Sequence, residues 1–157
     1  RPQPLLPTAA ISHLILQTYH CGCHVLEFIC LQPGMCLGFQ VADVRKPLVS
    51  VKRIVERGNY VSFGPGKEDN YIMSKATGDK LMLRPNGKGS YLMDVTFVGG
   101  GRAEITVDSG AEENVCPQDW GSQFPMLPAK SEMNFRNASG GKIYHYGMRN
   151  VKVVSPF

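Results

Sequence analysis

An apolar run that ends on a carboxylate constrains this chain more than any other feature. Ile105-Thr106-Val107 leads into Asp108-Ser109-Gly110-Ala111, and Glu112-Glu113-Asn114-Val115 follows. β-branched residues such as Ile, Thr and Val favour extended strand. Glycine has no Cβ, so its backbone enters conformations that other residues resist. The pattern therefore predicts a strand that closes in a tight turn carrying Asp108. Gly110 is expected in an unusual backbone conformation, and the small Ala111 leaves room for a second molecule to approach. Read as three residues only, Asp-Ser-Gly is equally an ordinary surface turn.

Composition supports a β-rich, turn-rich reading. Among 157 residues there are 17 Gly and 11 Pro, which favours many short strands over long helices. The length suits one domain of ordinary size. The formal charge of +4 is mild, and Lys and Arg are spread along the chain. Nucleic-acid binding calls for a basic stripe, and none is visible in the order of residues, so any contact with nucleic acid is expected to be indirect. Five cysteines, four of them before residue 37, make no framework across the chain, and a reducing, intracellular, cytoplasmic setting is expected. Ile11–Leu37 is rather apolar but is interrupted by His13, Gln17, His20, His24, Glu27 and Gln32, so no membrane span is expected. The opening Arg, in place of Met, suggests a fragment, and no signal-peptide pattern is visible.

Three stretches differ in texture. Residues 1–38 hold three of the four His and four of the five Cys with almost no charge. They read as an appended segment of uncertain fold, with Leu14–Leu16 and Val25–Ile29 able to form a helix or a strand pair. His20-Cys21-Gly22-Cys23-His24 places four possible ligands in five residues. A closed zinc site takes two pairs separated by a longer loop, so the alternative of a small zinc module over residues 20–36, recruiting Cys30 and Cys36, lacks its second pair. In 39–98, Lys46–Gly58 reads as a short amphipathic helix over 47–57, with Leu48, Val51, Ile54 and Val55 on one face, Pro47 in its first turn and Gly58 at its cap. Strands are expected at Tyr60–Phe63, Asn70–Met73, Lys80–Leu83 and Ser90–Val98, with an Asn86-Gly87 hairpin turn. In 99–157, strands are expected at Ala103–Val107, Met133–Arg136, Lys142–Tyr146 and Val151–Val154. Asn137-Ala138-Ser139 is a glycosylation sequon that reads more simply as turn chemistry. Trp120 is expected in the core. Lys88 between Gly87 and Gly89 lacks the spacing of a phosphate-binding loop. His145 and Cys116 make a weak thiol-protease pair, since Val115-Cys116-Pro117 reads as a buried strand end.

Residues 105–115 resemble, position by position, the active-site loop of retroviral and retrotransposon aspartic proteases, the retropepsins. Pro47–Phe63 and the following Tyr71–Leu83 resemble the segment after the flap in copia-type retrotransposon proteases. Together the two resemblances cover residues 39–157. They imply a mainly β, retropepsin-like closed barrel lobe with one short helix. In that family the Asp loop and flap precede the helix segment, whereas here 39–98, the C-terminal-type half, precedes 99–157, the Asp-loop and flap half. The order implies a circular permutation or a piece cut from tandem copies of a retrotransposon polyprotein.

The chemistry implied by the resemblance is peptide hydrolysis by water activated between two carboxylates sharing one proton. Asp69, Asp79, Asp94 and Asp119 lack the Gly turn, so the second carboxylate would come from another copy, in a symmetric homodimer with Asp108 at the two-fold axis. The resemblance implies Asp108 as catalytic acid and base and Ser109 as a brace between paired loops. Gly110 would support the loop and line the substrate channel with Ala111. Glu112 and Glu113 would face a peptide or polyprotein substrate, where Glu-Glu replaces the more usual Asp-Asp. Gly140 and Gly141 are the flap candidates by position. Solvated turn acids and an ordinary surface hairpin are the plain alternatives for those two pairs. No cofactor or metal is implied, and activity is expected below neutral pH. The competing expectation is a catalytically dead remnant acting at most as a β-rich interaction module.

Overall fold

The computed structural model describes residues 35–154. The cysteine- and histidine-rich cluster at residues 20–24 and the apolar stretches at 14–16 and 25–29 lie outside the described residues. Within them the protein is mainly β, with one short α-helix.

The first strand, β1 (Met35–Ala42), takes in the last four residues of the N-terminal segment, because Met35 and Leu37 alternate with exposed positions and point into the core. Next come β2 (Leu48–Ser50), α1 (Val51–Glu56), β3 (Asn59–Ser62), β4 (Tyr71–Ser74), β5 (Lys80–Met82), β6 (Arg84–Pro85), β7 (Tyr91–Phe97) and β8 (Arg102–Asp108). Short strands follow: β9 (Val115–Cys116), β10 (Met126–Leu127), β11 (Phe135–Arg136) and β12 (Lys142–Ile143). The long β13 (His145–Val154) completes the order.

The helix expected over 47–57 is shorter than its apolar spacing suggests. Leu48–Ser50 is drawn into a strand, parallel to Thr106–Asp108 of β8. Pro47 has no N–H to give, but its carbonyl accepts the Thr106 N–H at 3.1 Å, which opens that pairing. The helix therefore starts only after Ser50, whose hydroxyl accepts the Arg53 N–H as an N-cap. Val51 and Ile54 pack against the core, whereas Val55 is exposed. Gly58 ends the helix as expected, with φ +80° and its N–H on the Val55 carbonyl.

Eight strands form one sheet in the order β10-β13-β1-β9-β2-β8-β7-β6. Both 39–98 and 99–157 contribute to it, and their strands interleave. β13 also pairs with β7, Val153 opposite Phe97, so the sheet comes back on itself. Gly99, Gly100 and Gly101, all at positive φ, make the tight turn between β7 and β8. β3, β4 and β5 form a separate antiparallel sheet that lays Val61, Ile72 and Leu81 on the same core. That core is built around Phe39, Val41, Val49, Ile105, Val151 and Val153, all nearly fully buried. Trp120 packs edge-on against Phe39 and Phe97 at its rim, at ring-centre distances of 5.0 and 5.2 Å. The Asn86 hairpin turn forms as expected, with the Asn86 side chain accepting the N–H groups of Lys88 and Ser90.

Candidate active site

Asp108 is the last residue of β8, and the parallel pairing sets it beside Ser50, the last residue of β2. Two chain ends thus reach the same rim together, and both then turn sharply: β2 into α1, β8 into the loop 109–114. Asp108 is half-buried, and its Oδ1 accepts the Gly110 N–H at 2.8 Å. Gly110 does not take the unusual backbone conformation expected of it, since its φ is not positive. The turn is closed by the Asp108 carboxylate instead, and a Cβ on Gly110 would sit 3.4 Å from Oδ1. Ser109 is exposed at the tip, and Ala111 is half-buried behind it.

The loop is held from below by two buried polar side chains. Ser50 Oγ donates to the Ala111 carbonyl at 2.6 Å. The Ser50 N–H donates to Asn114 Oδ1 at 2.9 Å, and Asn114 Nδ2 donates to the Gly38 carbonyl at 3.0 Å. The Asn114 carbonyl accepts the Gln40 N–H at 2.8 Å. Ser50 is fully buried and Asn114 nearly so. One compact network thus ties β1, the start of α1 and the Asp108 loop, the last through Ala111 and Asn114. Buried polar groups persist only where they are bonded. The sequence offered one faint signal, for Ser50 alone: a serine set between apolar neighbours, Val49 and Val51.

Glu112 and Glu113 reach α1. Lys52 Nζ meets Glu112 Oε2 at 2.5 Å, an exposed pair whose hydrogen bond and mutual attraction hold the Glu112 carboxyl below its usual range and the Lys52 ammonium above its own. Arg53 grips Glu113 with both Nε and Nη2 and also bonds Glu56. A two-pronged grip of this kind fixes orientation as well as position. The hydrogen bonds to Glu113 first, and to Glu56 second, push the Arg53 guanidinium further toward its charged form. Glu113 is thus engaged by the helix and is no freely solvated turn acid, whereas Glu112 remains largely in water.

Gly140 and Gly141 lie in the five-residue turn between β11 and β12. Asn137 organises it: Oδ1 accepts the N–H groups of Ser139 and Gly141 and the Ser139 hydroxyl. Gly140 has φ +86°, and a Cβ on Gly141 would come within 3.0 Å of Asn137 Nδ2. Asn137 therefore does turn chemistry, as expected. Among the described residues no hydrogen bond or ion pair joins this hairpin to the Asp108 loop. Its base is anchored on the sheet, where the Phe135 ring meets His145 at 5.1 Å.

The thiol-protease pairing finds no geometry to support it. Cys116 is fully buried, and that burial pushes its thiol up to about 11, against the opposing pull of Arg149. His145 Nε2 lies 2.8 Å from Gln40 Oε1 and 2.9 Å from the Gly147 carbonyl. Nucleophilic cysteines need the thiolate. Among the described residues no three His, Cys, Asp or Glu cluster where a metal ion would sit, and no helix is long and apolar enough to cross a membrane.

Comparison with known proteins gives no relative: no protein-family model, no curated protein and no solved structure matches this chain.

Proposed function

We propose that the chain is a retropepsin-like aspartic endopeptidase that cleaves a retrotransposon polyprotein as a homodimer, with one Asp108 from each copy. The observation that carries this reading is the seating of Asp108. It stands on a strand end, its carboxylate oriented by the Gly110 N–H, in a loop locked from beneath by Ser50 and Asn114. The two stretches whose order is reversed relative to the family meet here, one supplying Ser50 and α1, the other the Asp108 loop. The β7–β13 pairing that returns the sheet on itself supports a barrel-like lobe.

In such a dimer two carboxylates crowd together and cannot both ionise. The ionised one takes a proton from water as the oxygen attacks the scissile carbonyl carbon. The protonated one donates to the carbonyl oxygen, and the leaving amine is protonated as the tetrahedral intermediate collapses. Exposed Ser109 and the small Ala111 leave the approach open. The hairpin tip at Gly140–Gly141 is the segment available to fold over bound peptide.

The test is cleavage of an unfolded protein at about pH 5, near the upper value such carboxylate pairs show. Wild type and Asp108→Asn are compared across protein concentrations. Cleavage should rise more steeply than linearly with concentration and vanish in Asp108→Asn. A rate that survives the substitution would sink the mechanism. A folded wild type inert at every concentration would favour the second reading, a β-rich remnant without catalysis.

A further inference from the structure

The small sheet β3–β4–β5 has two faces of opposite character. Its inner residues Val61, Ile72 and Leu81 pack on the core. In its register Tyr60, Met73 and Lys80 stand in one row across the strands, and Ser62, Tyr71 and Met82 in the next. Side chains alternate between faces along a strand, so these six form the outer face. None of the six is acidic. Lys75, just past the end of β4, adds a second cation. Tyr60 is 53% exposed. The Lys75 ammonium lies 4.6 Å from the centre of the Tyr60 ring, and the Lys80 ammonium 4.1 Å from that of Tyr71. Each lysine is distant in sequence from the tyrosine it covers, and only the strand pairing brings them together.

We propose that this face binds a single-stranded nucleic acid. Aromatic rings on an open sheet accept unpaired bases by stacking, and lysines beside them meet the phosphates. Tyr60 and Tyr71 are diagonal neighbours on adjacent strands, about 7–8 Å apart at the backbone, which leaves room for two splayed bases. In the free protein an ammonium group rests over each ring. A contact of this kind is exchanged readily, because an exposed cation–π pair is weak. On binding, a base replaces the ammonium on the ring and the lysine moves to the phosphate. A duplex hides its base faces and cannot make this exchange. The proposal does not rest on Asp108 or on dimerisation.

The test is fluorescence anisotropy of the whole chain with a labelled oligouridylate of about 12 nucleotides, within the span one such surface covers, at about 50 mM salt and above. Saturable binding that weakens with salt is expected. Tyr60→Ala should weaken it roughly tenfold, while Tyr60→Phe, which keeps the ring, should leave it nearly unchanged. Lys75→Glu with Lys80→Glu should abolish it, and Lys130→Glu, off this sheet, should not affect it. Circular dichroism of each variant checks the fold. Absence of saturable binding would overturn the proposal. So would equal losses for Lys130→Glu and the face variants, or equal affinity for a duplex of the same length.

Discussion

Asn114 is worth more than its size suggests, because three separate segments depend on one amide. Its Oδ1 takes the Ser50 N–H in a buried bond, and its Nδ2 serves the Gly38 carbonyl in a half-buried one. Asn114→Ala leaves the buried Ser50 N–H unbonded, which costs about 1–3 kcal/mol, and also removes the half-buried bond to the Gly38 carbonyl, about 0.5–1.5 kcal/mol more. A loss of roughly 1.5–4.5 kcal/mol is expected on that basis, read as a lower urea midpoint. If the variant is as stable as wild type, the network is not what holds the Asp108 loop. The polar triplet at Glu112, Glu113 and Asn114 was legible as a motif. That its members face three ways, to water and Lys52, to Arg53, and into the core, was not, because a sequence carries no partners.

At the scale of elements, Arg84 stitches three strands. From β6 it bonds Asp94 on β7 with two nitrogens and reaches Glu104 on β8. The hydrogen bonds from Arg84 come first among the effects that hold the Asp94 carboxyl below its usual range. The unfolded chain has the ordinary carboxylate value of about 4. The pair's contribution is therefore full above that pH and is lost as pH falls through the depressed folded value. All three side chains are about half exposed, so the contribution is small. Wild type should exceed Arg84→Met in stability at neutral pH, and the gap should close as pH falls below about 4, followed by urea unfolding. A gap independent of pH would place the effect of Arg84 in packing and not in charge. Strand existence was well anticipated in this region, since alternation and the Asn86-Gly87 turn are local signals. The start of α1 was not: the apolar spacing of 48–55 fits a helix, and only pairing with β8 makes Leu48–Ser50 extended.

At the scale of the whole molecule, one core joins stretches distant in sequence. Phe39 on β1 is almost completely buried and meets Trp120 edge-on, and Phe97 on β7 also meets the same indole edge-on. Phe39→Ala should cost about 3–5 kcal/mol. Because Trp120 is the chain's one tryptophan, its fluorescence should shift to the red as the indole loses its cover. An unchanged spectrum with full stability would mean that Phe39 does not anchor that rim. The same core explains how the helix segment and the Asp108 loop, distant in sequence, come to lie side by side. β1 joins β13 along nearly its whole length and β2 joins β8, so the contacts at the loop depend on which strands pair and little on the order in which the chain supplies them.

Local chemistry alone determined the β-rich character, the turns at Gly58, Asn86 and 99–101, and the presentation of Asp108 at a strand end. Each follows from backbone preferences and short-range alternation within a few residues. Tertiary structure alone decided where β2 ends and α1 begins, that Gly110 closes its turn on a carboxylate with no left-handed backbone, that Ser50 and Asn114 brace the loop from other segments, and that Tyr60, Tyr71, Lys75 and Lys80 share one face. These depend on pairing between residues far apart in sequence, whose free energy comes from burial and from bonding polar groups that burial would otherwise strand.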